Sequence, residues 1–487
     1  MRKRLCLLLL CAMLCTACAG TTEETMETDR SAADGETPTE TEPETVDPLA
    51  HLPEKTYDGT DFTFLVTDTT DVGYFGIKDI LREEMTGEIL NDSILERNRK
   101  VEDRFSVRIA EVRDLNPVAA AQRAIKAGDA VCDAMFSNFV VGNMILTNEC
   151  HDFYSLPVID TTAAYWDPYI FSDMSIRGRA YVATGDISTM DNDCTLMLVF
   201  NKYLTEINAL DDPYALVREG KWTFDAMRKM CEVVSLDLNG DGEWDQEDRY
   251  GLSLAYDHVN YYYRAFGNRY TTLSQSADAV PELIPLSDRA VSGFTDIISL
   301  VSDGRSVYFI DKLSSNGMIP HTYSRVQFTE DHYLFTIAEP LVFSEFREME
   351  HDFGVLPLPK YDESQDRYYT PLDTAVAYLS VPVCVSDTER CGIILEAMAA
   401  QSAETITPAY NETILKRKYT RDMESEEMLN IIMSNRVYEL TNLFSWGNLS
   451  GGLTSLCQKG SADIASMYAK NEAAVTKAIE KTFTNLP

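Results

Sequence analysis

Strand-like and helix-like segments alternate along the first part of the folded chain, and this alternation restricts the fold more than any other feature of the sequence. Asp61 to Thr67 (DFTFLVT) alternates and is rich in Phe, Val and Thr, which predicts a strand. Apolar residues at helical spacing follow in Asn91 to Phe105. Val107 to Val112 predicts a second strand, Pro117 to Ala127 a helix, and Cys132 to Ser137 a third strand. Strands separated by helices in this way predict an α/β sheet.

The later part of the chain continues this pattern with less regular spacing. Tyr181 to Ile187 and Thr195 to Phe200 predict strands, and Leu341 to Met349 predicts a helix. Ser386 with Glu389 matches a capping box, which predicts that a helix begins there.

Charge and hydropathy narrow the possible functions. The chain has 487 residues, and its 78 Asp and Glu against 42 Lys and Arg give a net charge of -36. Such a surface repels phosphate backbones and anionic lipid headgroups, so we expect no nucleic-acid partner. The one markedly apolar segment, Leu5 to Thr16, is too short to span a bilayer, which favours a soluble body.

The N-terminal segment predicts export and lipid attachment. A basic start and an apolar centre precede Thr16, Ala17 and Cys18, a pattern that resembles the lipobox of bacterial lipoproteins. Residues 1–18 would then be a lipoprotein signal peptide, with Cys18 as the acylated residue. Cys15 stands where the lipobox prefers Leu, and an ordinary secretory leader cut near residue 19 is the alternative.

Residues 19–54 predict a disordered acidic tether. The segment consists mainly of Thr, Glu, Ser, Asp and Pro, which cannot form a core. Its negative charges repel one another and extend the chain. An acylated cysteine followed by such a linker predicts a folded body held at the extracellular face of the cell membrane, with contact to the membrane through the lipid anchor only.

The cysteines indicate thiols in place of a disulfide framework. Beyond the leader they occur singly, without C-x-x-C spacing, which argues against both a zinc site and a dense set of disulfides. Most are therefore predicted to be buried thiols. A Cys132 to Cys150 bridge stays open as an alternative, because exported proteins meet oxidising conditions.

The segment DLNGDGEWDQED predicts a calcium loop. Its oxygen-bearing residues match the ligand positions of an EF-hand loop, with Gly242 at the sharp turn. The predicted ligands are Asp237, Asn239, Asp241, Glu243, Asp245 and Asp248. The last ligand is Asp where EF-hands usually have Glu, and the flanks do not match a paired EF-hand. We therefore expect a structural Ca²⁺, and a solvated acidic turn is the alternative.

Several phrases of the sequence resemble the extracellular solute-binding proteins (family 1 type) of carbohydrate ABC importers, especially the lipid-anchored group of Gram-positive bacteria. The phrases are LNDSILERNRKVEDRFSV from Leu90, LVFNKYL from Leu198, GKWTFDAM from Gly220, DLNGDGEWDQEDRYGL from Asp237 and FGVLPLPKYDESQDRYYT from Phe353. The resemblance implies a two-lobed, periplasmic-binding-protein-like α/β fold (type II) with a hinge and an interlobe cleft. It implies one lobe from residues 55–192 and 353–405, and a second from 193–352 and 406–487.

The resemblance also implies a function. A monomer would capture a sugar or oligosaccharide in the cleft and deliver it to the permease subunits of an ABC importer, without catalysis. The alternatives are a surface glycan-binding adhesin, a lipoprotein that binds a peptide or another solute, and a glycoside hydrolase. The sequence contains no HExxH, GxSxG or GxxxxGK[ST] motif, which lowers the case for an enzyme.

Sugar sites need aromatic platforms beside carboxylate and amide groups. Trp446 lies where the resembling family often places a stacking aromatic, with a core tryptophan as the alternative. Tyr262 is a second aromatic candidate. The polar candidates follow predicted strands, where open α/β sheets bind ligands, and each has a capping or surface role as its alternative. They are Asn138, Asp186, Glu339 and Asp373.

Overall fold

A computed structural model describes residues 47–69, 76–313, 319–414 and 423–486, so the predicted signal peptide, Cys18 and most of the tether lie outside the described residues. The strands are β1 (Thr60–Thr67), β2 (Val107–Asp114), β3 (Ala134–Ser137), β4 (Met197–Asn201), β5 (Tyr250–Leu254), β6 (Val307–Phe309), β7 (Tyr333–Ala338), β8 (Phe353–Leu356), β9 (Thr370–Pro371), β10 (Tyr378–Ser380) and β11 (Arg436–Val437).

Helices cover much of the remaining chain. They are α1 (Ile89–Phe105), α2 (Pro117–Ala127), α3 (Gly142–Leu146), α4 (Pro168–Met174), α5 (Met190–Asp193), α6 (Lys202–Ile207), α7 (Pro213–Arg218), α8 (Phe224–Val234), α9 (Val259–Ala265), α10 (Asp288–Val301), α11 (Pro320–Thr329), α12 (Thr388–Ile414), α13 (Met423–Met433), α14 (Leu440–Phe444), α15 (Leu449–Gln458) and α16 (Ile464–Asn485). Short 3-10 helices lie at Phe139–Val141, Phe153–Ser155, Tyr256–His258, Ile310–Lys312, Pro340–Phe346 and Trp446–Asn448.

The first sheet has the strand order β10-β3-β1-β2. β1 runs parallel to both β2 and β3, and β10 pairs antiparallel with β3. Phe62, Phe64, Leu65 and Val66 of β1 are all buried, although successive side chains point to opposite faces. Both faces of the strand are therefore covered, as is usual for parallel strands between helices.

The second sheet has the order β6-β5-β7-β4-β8. β5 is parallel to β6 and to β7, whereas β4 is antiparallel to β7 and β8. Every residue of β4, β5 and β7 is buried. A short parallel pair, β9 with β11, completes the strand pairing. Two mixed sheets layered with helices confirm the predicted α/β class.

The chain passes from the first sheet to the second between β3 and β4, and it returns between β8 and β10. These positions differ from the predicted lobe bounds at residues 353 and 405. β8 pairs with β4, and Trp222 Nε1 donates to the Pro357 carbonyl at 2.9 Å, so the chain after residue 353 still belongs with the second sheet. Helix α12, which packs on α1, continues unbroken to Ile414, past the predicted bound at residue 405.

Three local predictions are wrong. Tyr181 to Ile187 forms no strand; it makes two isolated bridges, from Ala183 to Leu379 and from Gly185 to Trp166, and its apolar residues are buried in the core instead. Leu341 to Met349 is mostly 3-10 helix, at Pro340–Phe346. The predicted capping box is displaced by one residue, because Asp387 Oδ1 accepts the Arg390 N–H at 2.9 Å.

The cysteines behave as predicted from their spacing. All seven beyond the leader are free, Cys384 is half-buried and the rest are buried, so Cys132 and Cys150 form no bridge. Among the described residues, no helix combines the length and the apolar character that crossing a membrane requires.

A buried arginine gives one residue of the sequence segment that begins at Leu90 a structural role. Arg97 of α1 is fully buried, and its Nη2 donates to the carbonyls of Asp79 and Ile80 at 2.7 and 2.9 Å. Its Nη1 donates to the Ile187 carbonyl at 3.2 Å and to Ser402 Oγ at 3.3 Å. Burial lowers the pKa of this guanidinium to about 10, which leaves it charged at neutral pH. The side chain therefore ties α1 to α12 and to the segment that leads toward the second sheet.

We expect Arg97→Leu to lower the free energy of unfolding by at least about 3 kcal/mol, because it leaves several buried carbonyls without a donor. Urea denaturation followed by circular dichroism measures the change. The control is Arg99→Leu, two residues along the same helix with an exposed side chain, which should change stability by less than about 0.5 kcal/mol. Equal effects of the two substitutions would contradict the proposed role of Arg97.

Candidate functional site

The candidate site is a cavity of about 270 Å³ at one edge of the second sheet. The parallel strands β5 and β7 both end here, with Asp257 and His258 following β5 and Glu339 following β7. Leu196 and Asp373, from the two segments that connect the sheets, form another wall. The carboxyl-terminal edge of parallel strands is where open α/β sheets bind ligands.

The connecting segments lie side by side at this cavity. Leu196 N–H donates to the Pro371 carbonyl at 3.2 Å, and Asp373 N–H donates to the Cys194 carbonyl at 2.9 Å. The cavity is lined by Leu196, Asp257, His258, Tyr261, His321, Arg325, Ile337, Glu339, Val342, Asp373 and Thr374. Two of the residues predicted from sequence, Glu339 and Asp373, are thereby brought together.

The two predicted carboxyl groups differ in their surroundings. Asp373 is held in place, since its Oδ1 accepts the Ala375 N–H at 2.7 Å and its Oδ2 accepts the Tyr261 hydroxyl at 3.0 Å. The Glu339 carboxyl lines the cavity without a hydrogen-bond partner among the described residues. The site therefore presents one fixed acceptor beside one carboxyl group that a ligand could engage.

Burial raises the pKa of the Glu339 carboxyl to about 8, and the negative charge of Asp373 is the next largest cause. Glu345 and Asp193 act in the same direction, and Arg325 opposes them. Arg325 is itself held by Glu345, to which its Nε and Nη2 donate at 2.6 and 3.0 Å. The carboxyl of Glu339 is therefore mostly protonated at neutral pH.

Two histidines also line the cavity, and neither was among the site residues predicted from the sequence. His258 is 8% exposed, and its Nδ1 accepts the Ala255 N–H at 3.2 Å. Burial lowers its pKa to about 3, so the ring is neutral at pH 7 with its proton on Nε2. The exposed His321 ring lies 5.8 Å away between centroids. His258 follows a strand as Glu339 does, so the rule that selected Glu339 would also have selected it.

The other predicted polar residues lie elsewhere. Asn138 is exposed and caps a 3-10 helix, with its Oδ1 accepting the Val140 N–H at 3.2 Å. Asp186 lines a separate cavity of about 300 Å³ that Arg436 also lines. The Asp186 carboxyl accepts the Thr407 hydroxyl at 2.8 Å, and burial raises its pKa to about 6. Neither residue lines the cavity that holds Glu339.

The two predicted aromatic ligands occupy the core. Tyr262 is 1% exposed and packs edge-on against Phe224, with centroids 5.9 Å apart. Trp446 is 3% exposed, stacks on Phe444 at 5.0 Å and donates from Nε1 to Thr482 Oγ1 at 2.9 Å. Their positions match the core alternative, because both rings are almost wholly buried against other side chains.

A larger cavity, of about 580 Å³, lies between the end of α9, the start of α10 and the loop at residues 362–369. Several of its polar side chains are hydrogen-bonded, although Arg289 Nη2 is buried without a partner among the described residues. Gln365 Nε2 donates to the carbonyls of Ala265 and Arg367, and the Tyr369 hydroxyl donates to Asp366 Oδ1. We place the candidate site at the smaller cavity, because it lies at the carboxyl ends of the parallel strands β5 and β7 and beside the segments that connect the sheets.

The predicted calcium loop is shaped by its own carboxylates. Asp237 Oδ1 and Oδ2 accept the N–H groups of Gly240 and Gly242 at 2.6 and 2.9 Å. Both glycines have positive φ, at 72° and 84°, a conformation that favours glycine. Asn239 Oδ1 accepts the Asp241 N–H at 2.9 Å. The chain thus turns sharply around these side chains.

Asp248 closes the same loop from the buried side. It is fully buried, and its two oxygens accept the N–H groups of Leu238 and Asp245, each at 3.0 Å. Across the described part of the chain, no group of three or more His, Cys, Asp or Glu side chains is arranged to hold a metal ion. The calcium ion therefore stays a prediction, with Asp248 acting in this structure as the residue that holds the loop ends together.

Comparisons with known proteins define the fold class. No protein-family model matches the sequence, and no curated protein matches it. Solved structures do match. A binding protein for cyclic α-maltosyl-1,6-maltose from Arthrobacter globiformis has a TM-score of 0.58 at 12% identity, covering 87% of this chain and 99% of its own.

Two further structures show the same likeness. An ABC substrate-binding protein of Listeria monocytogenes, in complex with cycloalternan, has a TM-score of 0.54 at 13% identity, covering 88% of this chain and 99% of its own. UgpB of Mycobacterium tuberculosis, in complex with glycerophosphocholine, has a TM-score of 0.55 at 14% identity, covering 87% and 99%. These likenesses confirm the predicted two-lobed α/β fold of solute-binding proteins.

We expect Glu339→Gln to change how stability depends on pH. In the unfolded chain this carboxyl ionises near its ordinary pKa of 4.5, whereas in the folded protein it ionises near 8. Rising pH therefore favours the unfolded wild type across that window, and the variant lacks this loss. Denaturation between pH 4.5 and pH 8.5 should show the variant gaining stability relative to wild type as pH rises.

The control for this comparison is Glu330→Gln, an exposed change in the turn just before β7. It measures the effect of removing a surface carboxylate near the same sheet. A pH-independent difference between Glu339→Gln and wild type would show that Glu339 is not held in its protonated form.

Proposed function

We propose that this protein captures a sugar or oligosaccharide between its two lobes and delivers it to the permease of an ABC importer, without catalysis. The observation that carries the proposal is the cavity beside the two connecting segments, with carboxyl and imidazole groups left open at the carboxyl edge of the second sheet. One of the similar structures is a binding protein for cyclic α-maltosyl-1,6-maltose and another is in complex with cycloalternan, which supports a carbohydrate ligand.

The two sheets support a division into lobes. We assign the described residues between 55 and 193 and between 372 and 414 to the first lobe, and those between 197 and 371 and between 423 and 486 to the second. The C-terminal assignment is supported by packing of α13 on β8, of α15 on α9 and of α16 on α10. Ligand entry would then shift an equilibrium between open and closed arrangements of the two lobes.

The polar groups of the cavity suit a polyhydroxylated ligand. Carboxylate oxygens of Asp257 and Asp373 accept hydrogen bonds from hydroxyl groups, and the Nε2–H of His258 donates one. The protonated carboxyl of Glu339 does both. The hydroxyl groups of a sugar ring both donate and accept hydrogen bonds, so a surface with mixed donors and acceptors suits them better than a purely acidic surface does. Delivery to a permease, a monomeric state and lipid attachment through Cys18 at the extracellular face of the membrane complete the proposal.

We expect a selective saccharide to raise the melting temperature of the body, from about residue 47 onward, in a thermal-shift screen. Ligand at a hundred times its dissociation constant adds about 2.7 kcal/mol of stability.

Asp373→Asn should weaken binding at least tenfold in calorimetry, because the hydrogen bond from Tyr261 and the fixed carboxylate are both disturbed. Asp366→Asn, at the larger cavity, is the matched control and should bind as wild type does.

Two outcomes would contradict the proposal. Recovery of a shortened sugar after incubation would indicate a glycoside hydrolase. A melting-temperature shift with glycerophosphocholine or a peptide and with no saccharide would assign the cavity to another solute, a use that the same fold supports in UgpB.

We also propose that the loop from Asp237 to Asp248 binds a structural Ca²⁺. Calcium takes six to eight oxygen ligands. Asp237, Asn239 and Asp241 keep lone pairs beyond those that accept main-chain N–H groups, so these side chains remain able to ligate. The ion would then fix the link between α8 and β5.

We expect a chelator to lower the melting temperature and Ca²⁺, but not Mg²⁺, to restore it. Asp241→Asn should abolish the response, because it removes a ligand charge. Asp225→Asn, an exposed change at the start of α8, should leave it intact. No calorimetric heat with Ca²⁺ on stripped protein would leave the segment as a solvated acidic turn.

A further inference from the structure

The cavity that holds Glu339 has an excess of negative charge. Asp257, Glu339 and Asp373 line it, and Arg325 is the guanidinium that lines it with them. Arg325 donates from two nitrogens to Glu345, so an acid outside the cavity lining already offsets its charge. Arg325 still lowers the pKa of the Glu339 carboxyl, but burial and the charge of Asp373 outweigh it.

Neither histidine supplies the missing positive charge from a buried position. His258 Nδ1 accepts a main-chain N–H, which fixes the remaining proton on Nε2 and opposes a second proton on the ring. Nε2 has no hydrogen-bond partner in the described chain, although the side chain is more than nine-tenths buried and lines the cavity. The Nε2–H group of His258 is therefore a neutral hydrogen-bond donor that an acceptor on a ligand could engage.

The carboxyl groups and the His258 donor favour two different chemical groups on one ligand. The carboxyl pair of Glu339 and Asp373 favours a cation, because a positive charge relieves their mutual repulsion. The Nε2–H of His258 favours an uncharged acceptor such as a hydroxyl oxygen. A cavity of about 270 Å³ has room for one sugar ring and part of a second.

We propose that the ligand is an amino sugar, with its protonated amine at the carboxyls of Glu339 and Asp373 and a hydroxyl oxygen at the Nε2–H of His258. This inference rests on the proposed function and narrows it from saccharides in general to those with a free amine. A neutral sugar meets the same hydroxyl donor, but it leaves the Glu339 carboxyl protonated and supplies no cation to Asp373.

Proton release distinguishes this mode of binding. The groups that act on the Glu339 carboxyl are Asp373, Glu345 and Asp193, which favour its protonated form, and Arg325, which opposes them. A bound ammonium group reverses that balance and favours the carboxylate. The complex should therefore release about one proton per ligand at pH 7. A neutral sugar should release none.

The test is calorimetry of the full body with matched probes at pH 7. The probes are glucosamine, N-acetylglucosamine and glucose, together with their β-1,4-linked disaccharides and trisaccharides. We expect the free-amine form to bind at least tenfold more tightly than the acetylated and hydroxyl forms of the same length. Titrations in buffers of different ionisation enthalpy count the protons released.

Glu339→Gln should remove most of the preference for the amine and all of the proton release. Asp366→Asn at the larger cavity is the matched control and should retain both. Asp257→Asn serves as a second variant at the site if Glu339→Gln does not fold, and it should reduce the amine preference.

Three outcomes would overturn the inference. Tighter binding of glucose or N-acetylglucosamine forms, without proton release, would leave the proposed function intact but show a neutral ligand. An amine preference that persists in Glu339→Gln would show that the carboxyl is not its source. Binding of a simple primary amine such as ethanolamine, with no saccharide bound, would overturn both this inference and the proposed function.

Discussion

The buried guanidinium of Arg436 ties together separate passages of the chain, and the geometry of the site depends on that junction. Its Nη1 donates to Asp167 Oδ2 at 2.9 Å and Asp191 Oδ2 at 3.1 Å, and its Nε donates to Thr195 Oγ1 at 3.1 Å. Thr195 in turn bridges Leu372, so both segments that connect the sheets are fixed beside this cation. Such a pair adds little net stability, but losing one partner leaves an uncompensated buried charge. The junction therefore specifies where the connecting segments lie, and through them the cavity wall.

Carboxyl groups with raised pKa values surround this junction. Burial raises the pKa of Asp193 to about 6, of Asp191 to about 7 and of Glu339 to about 8. The connecting segments and the cavity thus share one electrostatic environment, in which a ligand that alters the charge of Glu339 also alters the field at the junction.

The sequence predicted the part of this structure that depends on local patterns. Alternating strands and helices gave the α/β class, and the rule that ligands bind at strand ends selected Glu339 and Asp373. The same rule also selected Asn138 and Asp186, which do not line this cavity. Trp446 was selected on the family resemblance, and its ring is buried against Phe444, a contact that sequence spacing does not reveal. His258 was missed for a related reason: its role depends on burial and on a main-chain donor, both of which arise only in the folded chain.

The free cysteines carry a practical consequence for work with this protein. Folding of the body needs no thiol oxidation, so recombinant material can be made in a reducing cytoplasm without an oxidising compartment. Six of the seven thiols are buried, and Cys384, half-buried beside the start of α12, is the most accessible position for maleimide coupling. A fluorophore there would sit on the first lobe, and a second engineered cysteine on the other lobe would turn the molecule into a distance-based biosensor.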